Sequence, residues 1–500
     1  MRLSTTSFLK EGEELSDHVI MISNKVSLKL RYIVKNMNIF HKLWSRTSFI
    51  ILVLLILVGI FSILLVSKNP KLSLSTSDAA VLRSPKDGSG PVVATVNVKD
   101  FGAKCDAGTD DTLAIQKAIN TLVTTGGTIS FPAGTCRITN TLNINEGKIA
   151  LRGQGQHITQ IHLDNANARI INIEGGNTGI SAVYLKDMSF IAFDASNNTR
   201  TAGNGIYLHN VGDWSITNVS LTSCWDCIYL NSAHTGLIEN VVISDYTAVI
   251  GGGLNTGITL INSISNSIKN VNVTSSNSIL GGYIVDGGTD TLVIEKSGVQ
   301  YVGSGGATYG VLFKNTTSSH DPRWIRITNS FFEPKQDTGV SIMITAGYDI
   351  ETAGLYTKGG QYGVYITGPR VREVRFRDGI IQLAEKDGVV LENFARDVSF
   401  NGTLVTDNSQ SSRGAYDGIV VAPGMTNFSF DNVRSGNTLW NGTDGFGANQ
   451  RYGINIQPGG NNYRVTKNDL TNNITGGLYD PGGTSEVRFG NLGTSLPDLQ

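Results

Sequence analysis

Residues 190–250 concentrate side chains that could perform acid–base chemistry on a glycosidic bond. Such a bond is usually cleaved by two carboxylates, about 5 Å apart when the anomeric configuration is retained and about 6.5–9.5 Å apart when it is inverted. Asp226 is the leading acid in this stretch, and later parts of the chain could add partners to it. The candidate catalytic residues are Asp226, Asp194, His209 and Glu333.

Aromatic side chains fall in the same stretch, and their faces stack well on sugar rings. The candidate substrate-binding residues are Trp225, Tyr207, Tyr229, Trp214 and Asp245. Each of these residues alone fits a turn, a solvent-facing position or core packing equally well. Their clustering is what marks residues 190–250 as a candidate site.

The elements that would position these residues are short strands that recur along the chain from about residue 140 onward. A glycine, in one case a cysteine, precedes alternating apolar residues at separations of roughly 22–35 residues, the period of one coil of a parallel β-solenoid. These anchors are Gly205, Cys227, Gly257, Gly282, Gly310, Gly339, Gly363, Gly388, Gly418, Gly453 and Gly477. Because adjacent coils lie about 4.8 Å apart, carboxylates at matching positions on neighbouring coils could supply either catalytic spacing.

A second short strand in many coils carries Asn or Asp at its turn, as at Asn218, Asn240 and Asn270. These residues tolerate left-handed backbone angles, so they suit a sharp corner repeated once per coil. The inward apolar side chains of a coil are covered only by the coils above and below it. An open first coil would therefore expose its core and a row of unpaired backbone groups.

A helix is predicted where it could cover that first coil. Its apolar stripe is Leu113, Ile115, Ala118, Ile119 and Leu122. Asp111 or Thr112 would cap its N-terminus, and Gly126 and Gly127 would end it. Asp110 and Asp111 are therefore interpreted as capping residues rather than as a catalytic pair.

Composition limits the partners of the chain. It has 500 residues and a formal net charge of −1, which indicates no nucleic-acid or other polyanionic partner. Phe49–Val66 is an uncharged apolar run long enough to cross a bilayer, and the segment before it is rich in Lys and Arg. We therefore expect an uncleaved anchor with the remaining chain outside, and a cleaved signal peptide is the alternative.

These observations predict five segments. They are a cytoplasmic tail at 1–48, a transmembrane anchor at 49–66, a linker at 67–95, an all-β solenoid domain at 96–490 and a C-terminal tail at 491–500. The protein would be a single-pass membrane protein whose C-terminal domain is extracellular or lumenal, with the lipid bilayer as a partner through residues 49–66.

The segment "VKDFGAKCDAGTDDTLAIQKAIN", followed by "GGTISFPAGTCRI", resembles the opening signature of the pectate-lyase-like superfamily. Rhamnogalacturonase-type proteins, epimerase-like proteins and many phage tailspikes share this domain. The resemblance implies a right-handed parallel β-helix with an N-terminal capping helix. It also implies one of several activities, since the superfamily includes hydrolases, lyases, epimerases and proteins that only bind or build.

Cysteines stand at positions where the superfamily often has other residues. Cys105 and Cys136 fall in adjacent parts of the cap, so the resemblance favours a disulfide between them, with two free buried thiols as the alternative. Cys224 and Cys227 could form a second, tight bridge. Two cysteines without further ligands are weak evidence for a metal site, so no metal site and no cofactor are predicted, although a lyase mechanism would admit a calcium ion.

The catalytic pattern of polygalacturonases is incomplete. Asp226 matches the second aspartate of the family's pair, but Trp225 replaces the first, Asn204 replaces the aspartate one coil earlier, and no histidine accompanies Gly252. One carboxylate cannot serve as both acid and base in an inverting reaction. The epimerase motif Asp-Pro-His is absent too, because Arg323 follows the Asp-Pro pair.

The sequence thus predicts a membrane-anchored, external β-helix that acts on a polysaccharide, pectin-like or otherwise containing uronate, as a hydrolase, lyase or epimerase. The alternatives are a glycan-binding or structural surface or virion protein without activity, and a tailspike-like homotrimer. Whether the chain is a monomer or a homotrimer is left open.

Overall fold

A computed structural model describes residues 94–496, apart from 166–167, 193–202, 246–255, 276–277, 302–305, 317, 438, 441–442 and 445–449. Side chains are likewise not described for 245, 278, 439–440 and 443–444. The predicted tail at 1–48 and anchor at 49–66 lie outside the described residues. Among the residues that are described, no helix is long and apolar enough to span a membrane.

Two short helices, the 3₁₀ helix Val98–Phe101 and the helix α1 at Thr112–Thr121, precede an almost all-β chain. The strands are β1 Thr95–Asn97, β2 Asp106–Asp110, β3 Gly127–Ser130, β4 Gly134–Ile138, β5 Leu142–Ile144, β6 Ile149–Arg152, β7 Thr159–Leu163, β8 Ile171–Glu174, β9 Ile180–Ala192, β10 Asn204–Thr222, β11 Asp226–Asp245, β12 Thr256–Ile261, β13 Ile264–Ser275, β14 Ser278–Val285, β15 Asp290–Glu295, β16 Gly298–Tyr301, β17 Gly306–Phe313, β18 Arg323–Thr328, β19 Phe331–Phe332, β20 Val340–Ile344, β21 Gly347–Ala353, β22 Tyr356–Lys358, β23 Tyr362–Thr367, β24 Val371–Arg377, β25 Ile380–Gln382, β26 Val389–Glu392, β27 Arg396–Asn401, β28 Leu404–Thr406, β29 Ile419–Val421, β30 Thr426–Asp431, β31 Arg434–Gly436, β32 Leu439–Trp440, β33 Thr443–Asp444, β34 Tyr452–Ile456, β35 Asn461–Thr466, β36 Gly476–Tyr479 and β37 Thr484–Phe489.

Parallel pairing sorts these strands into three stacks that the chain visits in turn, except for β32 and β33, which pair with each other in antiparallel fashion. Sheet I contains β1, β3, β6, β15, β18, β21, β24, β27, β30, β35 and β37. Sheet II contains β2, β4, β7, β16, β19, β22, β25, β28 and β31. Sheet III contains β5, β8, β12, β14, β17, β20, β23, β26, β29, β34 and β36. The long strands β9, β10, β11 and β13 continue around corners and belong to more than one stack. This is the parallel β-helix that the repeats predict, whereas its right hand stays a prediction.

The core follows from the alternation of side chains along each strand. In sheet III, Ile206, Ile228 and Ile258 occupy the same register position on consecutive coils and are completely buried. The anchor glycines lie where neighbouring coils approach closely: a Cβ added at Gly257 would lie 2.6 Å from the carbonyl oxygen of Gly282. The apolar stack therefore runs along the axis of the solenoid, and each coil is covered by its neighbours.

The predicted asparagine corners are confirmed. Asn218, Asn240 and Asn270 have φ values of 57°, 53° and 50°, in the left-handed region. The amide of Asn270 donates to the side-chain oxygen of Asn240 at 2.7 Å, and that of Asn218 donates to Asp187 at the same distance. The corner between sheets I and II is thus held by side-chain bonds from coil to coil.

The capping helix is confirmed, with corrections to its details. Ile115, Ala118 and Ile119 are buried, but Leu113 is 84% exposed and does not belong to the apolar face. The helix ends at Thr121, before the predicted glycine stop. Asp110 accepts a hydrogen bond from the N–H of Thr112 at 3.0 Å.

The cap is also tied to the first coils by covalent and polar contacts. The predicted disulfide between Cys105 and Cys136 is present. The buried carboxylate of Asp111 accepts bonds from the N–H groups of Lys104 and Cys105 at 2.7 and 2.9 Å. Asp111 therefore holds the loop that carries this disulfide, and its side chain does not cap the helix.

Candidate functional site

The first coils of sheet III bring a carboxyl group onto a row of polar side chains, which we call the Asp226 site. Asn204, Asp226 and Thr256 occupy one register position on three consecutive coils. The Thr256 hydroxyl donates to the Asp226 carboxylate at 2.9 Å, and the Asn204 amide donates to its other oxygen at 3.3 Å. Asp226 thus has neutral hydrogen-bonding partners on both sides.

Burial raises the pKa of the Asp226 carboxyl to about 6, although hydrogen bonds from Thr256 act in the opposite direction. At mildly acidic pH a large fraction of this group is therefore protonated. A protonated carboxyl group can donate a proton to a leaving oxygen, which is the part a general acid plays.

Two tyrosines form a platform beside this carboxyl group. Tyr207 and Tyr229 are aligned on adjacent coils, with ring centroids 5.6 Å apart and an interplanar angle of 21°. The guanidinium of Arg169 lies 3.6 Å from the centroid of the Tyr207 ring and donates to Asn172 at 2.6 Å. Burial, and next the nearby Asp226 carboxylate, raise the pKa of Tyr229. The faces of the Tyr207 ring thus contact Tyr229 and Arg169, and the platform combines stacked aromatic rings with a positive charge.

The tight turn that contains Trp225 and Asp226 is closed by the predicted disulfide between Cys224 and Cys227. Trp225 lies in this turn, is only 7% exposed and lines a small recess together with Thr256 and Ile279. Trp225 can therefore offer at most an edge to a ligand, and the prediction that it stacks on a sugar has little support in this position.

Trp214 is even more buried than Trp225. It is 2% exposed and packs inside the solenoid over Gly236, where an added Cβ would lie 1.9 Å from the indole. The prediction that Trp214 binds substrate is therefore replaced by a role in the core.

His209 and Glu174 form a separate pair on the same outer face. Their register positions match on adjacent coils, and Nδ1 of the imidazole lies 2.6 Å from the carboxylate oxygen. Because His209 lies five residues beyond Asn204 along β10, this pair is displaced by roughly 16 Å along the strand direction from the Asp226 register position. That exceeds the spacing of a glycosidase pair.

Three other predicted residues do not join the described site. Glu333 follows β19 in sheet II and forms an ion pair with Lys358 at 2.8 Å. Asp194 lies outside the described residues, as does the side chain of Asp245 at the end of β11. The roles of Asp194 and Asp245 stay predictions.

One group of side chains has a spacing compatible with a metal ion among residues 94–496 as described. It consists of Cys105, Asp111 and Cys136. The two sulfur atoms are joined in the disulfide and Asp111 already accepts two backbone bonds, so these residues do not fit a metal site.

Comparison with known proteins supports the fold. Residues 95–281 match the family described as rhamnogalacturonase A/epimerase, pectate lyase-like. The protein has a pectate-lyase-like parallel β-helix. No curated protein sequence matches the chain.

Among solved structures, tailspike protein 3 of bacteriophage CBA120 is 16% identical, over 81% of this chain and 62% of that one, with a TM-score of 0.57. The A-module of the Azotobacter vinelandii mannuronan C-5 epimerase AlgE6 is 16% identical, over 80% of this chain and 100% of that one, with a TM-score of 0.50. A tailspike protein of the E. coli bacteriophage HK620 is 11% identical, over 79% and 78% of the two chains, with a TM-score of 0.57. At these identities the likeness establishes the fold alone, and this chain spans 62% of the length of the CBA120 tailspike.

Sequence reasoning missed two members of the site in this pectate-lyase-like β-helix, Arg169 and Thr256. It also missed Glu174, the partner of His209 in the separate pair. Thr256 stands immediately before the anchor Gly257, the place that Asp226 takes before Cys227, so aligning the repeats could have revealed it. Arg169 precedes β8, which has no glycine anchor, and no repeat signal marks it.

Proposed function

We propose that the protein binds a polysaccharide on the outer face of sheet III, with Asp226 as the proton donor for a reaction on that polysaccharide. The observation that carries the proposal is the raised pKa of Asp226 next to the Tyr207–Tyr229 platform. Sugar rings can stack on the tyrosines, while the carboxyl group faces the same ligand.

A glycan that contains uronate suits this site best. The guanidinium of Arg169 lies over the ring of Tyr207, where it could pair with a sugar carboxylate. The fold is shared with a mannuronan epimerase and with phage tailspikes, which is compatible with a polysaccharide but does not select one.

A binding protein without activity is the second candidate. The coils on either side of Asp226 present an amide and a hydroxyl at its register position, so the described residues give it no second carboxylate there. The same tyrosine platform would serve such a protein, which would retain a glycan without changing it.

The test uses the purified full chain and a panel of neutral and uronate polysaccharides. New reducing ends report hydrolysis, and absorbance of unsaturated products reports elimination. We expect turnover of a uronate substrate that Asp226→Asn abolishes, while binding measured by calorimetry persists. The matched control is Tyr356→Ala, since Tyr356 stacks on Phe331 on sheet II. Activity that survives Asp226→Asn contradicts the assignment of Asp226, and binding without turnover supports the second candidate.

We further propose that residues 49–66 anchor the chain in a membrane, with the β-helix on the outer side. The support is the uncharged apolar run and the basic segment before it. Carbonate extraction of membranes that contain the full chain tests the anchor, and protease protection tests the orientation. Sedimentation of the solubilised protein separates a monomer from a homotrimer.

A further inference from the structure

A second carboxyl group on the outer face of sheet III takes the register position of Asp226. Strand pairing leads from Asp226 through Thr256, Gly281, Tyr309 and Val340 to Tyr362. Asp387 stands two residues before Val389, as Tyr362 does before its partner Val364, so extending that register by two residues places Asp387 in the same row, six coils from Asp226. At about 4.8 Å per coil the separation is roughly 29 Å. On the coils between the two carboxyl groups, the outward residues two positions beyond Gly282, Gly310 and Ser341 are apolar. They are Ile284, Leu312 and Met343. The surroundings of Asp387 are therefore separate from the Asp226 site.

Asp387 is held by the next coil through a single bond. The N–H of Asp417 donates to one of its carboxylate oxygens at 2.7 Å. The Asp417 carboxylate is fully buried and committed: Arg451 donates to it at 3.0 and 2.7 Å, and Asn455 at 2.7 Å. Besides this bond, the carboxylate is stabilised only by its own backbone N–H, and among residues 94–496 as described no side chain donates to it, so it retains acceptor capacity for a ligand.

Aromatic rings and a cation surround this open carboxyl group. The ammonium of Lys386 lies 5.7 Å from the ring centroid of Tyr362 and 5.9 Å from that of Tyr416. Tyr365 packs edge-on against Tyr362 with centroids 5.0 Å apart. The three rings are half-buried, so each still presents surface to solvent. A positive charge between two ring faces is a geometry that can hold a sugar ring and its carboxylate together.

We propose that Tyr362, Lys386, Asp387 and Tyr416 form a second glycan-binding site, which takes anionic, carboxylate-bearing sugar units. The Lys386 ammonium pairs with the carboxylate of the sugar, and the two tyrosines contact its apolar face. The site does not depend on any reaction at Asp226.

The charge on Asp387 controls how well this site accepts an anion. Burial raises the pKa of Asp387 to about 6. The hydrogen bond from the backbone N–H of Asp417 opposes the rise, the charge of the Asp417 carboxylate adds to it, and the charge of Arg451 opposes it. The ionisable groups that face it from neighbouring coils are Tyr362, Tyr365, Asp417 and Arg451, and Lys386 is its neighbour in the chain. Protonation removes a negative charge beside Lys386, so affinity for an anionic sugar rises as the pH falls through about 6.

The first experiment measures binding of oligogalacturonate, and of a neutral oligosaccharide of equal length, to the full chain by calorimetry. Lys386→Met is compared with Lys117→Met, which removes an exposed lysine from the capping helix. We expect about tenfold weaker binding of oligogalacturonate at one set of sites in Lys386→Met, the effect of losing one charge-assisted contact, and no change for the neutral sugar. If the two lysine variants bind oligogalacturonate equally well, the proposal is wrong.

The second experiment separates Asp387 from Asp226, since both groups titrate near the same pH. In an Asp226→Asn background, we expect affinity to increase from pH 7 to pH 5 when Asp387 is present. With Asp387→Asn, affinity at pH 7 should already equal the pH 5 value. An unchanged pH profile in Asp387→Asn overturns the role of Asp387. If the background variant does not fold, the wild type and Asp387→Asn are compared directly, because their difference belongs to Asp387.

The two proposals fail separately. Loss of turnover in Asp226→Asn together with equal lysine variants rejects only the second site. An inactive wild type whose anionic binding depends on Lys386 rejects only the reaction at Asp226.

Discussion

Asp226 and Asp387 share a face, a register position and a pKa raised to about 6 by burial, but different neighbours hold them. Asp226 lies between an amide and a hydroxyl, and both of its oxygens accept hydrogen bonds from neutral groups. Asp387 lies beside the Asp417–Arg451 ion pair, and its carboxylate is stabilised by backbone N–H groups, those of Asp417 and of Asp387 itself, rather than by side chains among the described residues. The solenoid repeats the geometry, whereas the chemistry depends on the coils immediately above and below.

This difference teaches how a one-dimensional fold acquires sites. Contacts in a solenoid are made between neighbouring coils, so a site needs only two or three of them. The same register position holds Gly281 and Val340 in the middle of the sheet, and neither residue supplies a polar side chain. A charged pair such as Asp417 and Arg451 therefore changes the surroundings of Asp387 without changing those of Asp226.

The largest expected effect comes from breaking that charged pair. Arg451→Met leaves the buried carboxylate of Asp417 without its counter-ion. Removing one partner of a buried ion pair costs roughly 3–5 kcal/mol of unfolding free energy. Chemical denaturation measures it, and the Asp387 site should weaken while the Asp226 site, six coils away, is unchanged in molecules that remain folded.

Arg434→Met is the matched control for this prediction. Arg434 pairs with Asp469 at 3.7 Å, and both side chains are well exposed. Such a pair contributes about 0–1 kcal/mol. A similar loss in the two arginine variants would show that burial of Asp417 does not set the energy of its pair.

The second effect concerns how each carboxyl group couples stability to pH. Between about pH 4 and pH 6 the folded protein keeps protons on Asp226 and Asp387 that the unfolded chain has released, so the free energy of unfolding falls as the pH rises through this window. Asparagine removes the effect. The free energy of unfolding of Asp226→Asn, measured relative to the wild type, should increase by about 1–3 kcal/mol between pH 3.5 and pH 7.5, and that of Asp387→Asn should increase by a similar amount.

Thermal denaturation of the three proteins at several pH values measures these gains. Equal gains in the two variants support burial as the common cause. A gain in Asp226→Asn with none in Asp387→Asn would show instead that Arg451 keeps Asp387 ionised, and would remove the similarity between the two sites.

The fold could be predicted because its signals are local and repeated. The asparagine corners and the anchor glycines each report on one coil, and the capping helix has its own apolar stripe. Leu113 was assigned to that stripe wrongly, because its place one position into the helix turns it towards solvent. Such errors at helix ends arise because the first turn lacks flanking residues that would fix its orientation.

The sites were harder to predict because register between coils is not visible along the sequence. Trp214 fits inside the solenoid only because Gly236 leaves space on the next coil. Asp387 and Asp417 both precede an anchor glycine, a signal that the sequence did contain. Arg451, which occupies the Asp417 carboxylate with two hydrogen bonds, lies 34 residues farther along the chain, and nothing local marks it.

A smaller effect is expected at the tyrosine platform. Tyr229→Ala removes one half of the stacked pair next to Asp226. We expect about tenfold weaker glycan binding, on the order of the 0.5–1.5 kcal/mol of an aromatic contact together with its lost area. Calorimetry with Tyr356→Ala as control tests this, and Lys386-dependent binding should not change. Equal losses in both tyrosine variants would indicate a general loss of stability rather than a contact with sugar.

The smallest effect is expected from removing the Cys224–Cys227 disulfide, which is present at the Asp226 site and not at the described part of the Asp387 site. Cys224 and Cys227 enclose the turn that contains Asp226, whereas the described part of the Asp387 region contains no cysteine. Cys224→Ser with Cys227→Ser opens a loop with a sequence separation of only 3, so the unfolded chain gains little entropy. We expect a loss of affinity of about threefold, under 1 kcal/mol, confined to the Asp226 site.

The control replaces Cys105 and Cys136 by serine. Because their separation is 31, stability should fall by about 2–4 kcal/mol while binding per folded molecule stays unchanged. If the first double variant weakens both sites equally, the turn acts on the whole solenoid and the two sites are not independent.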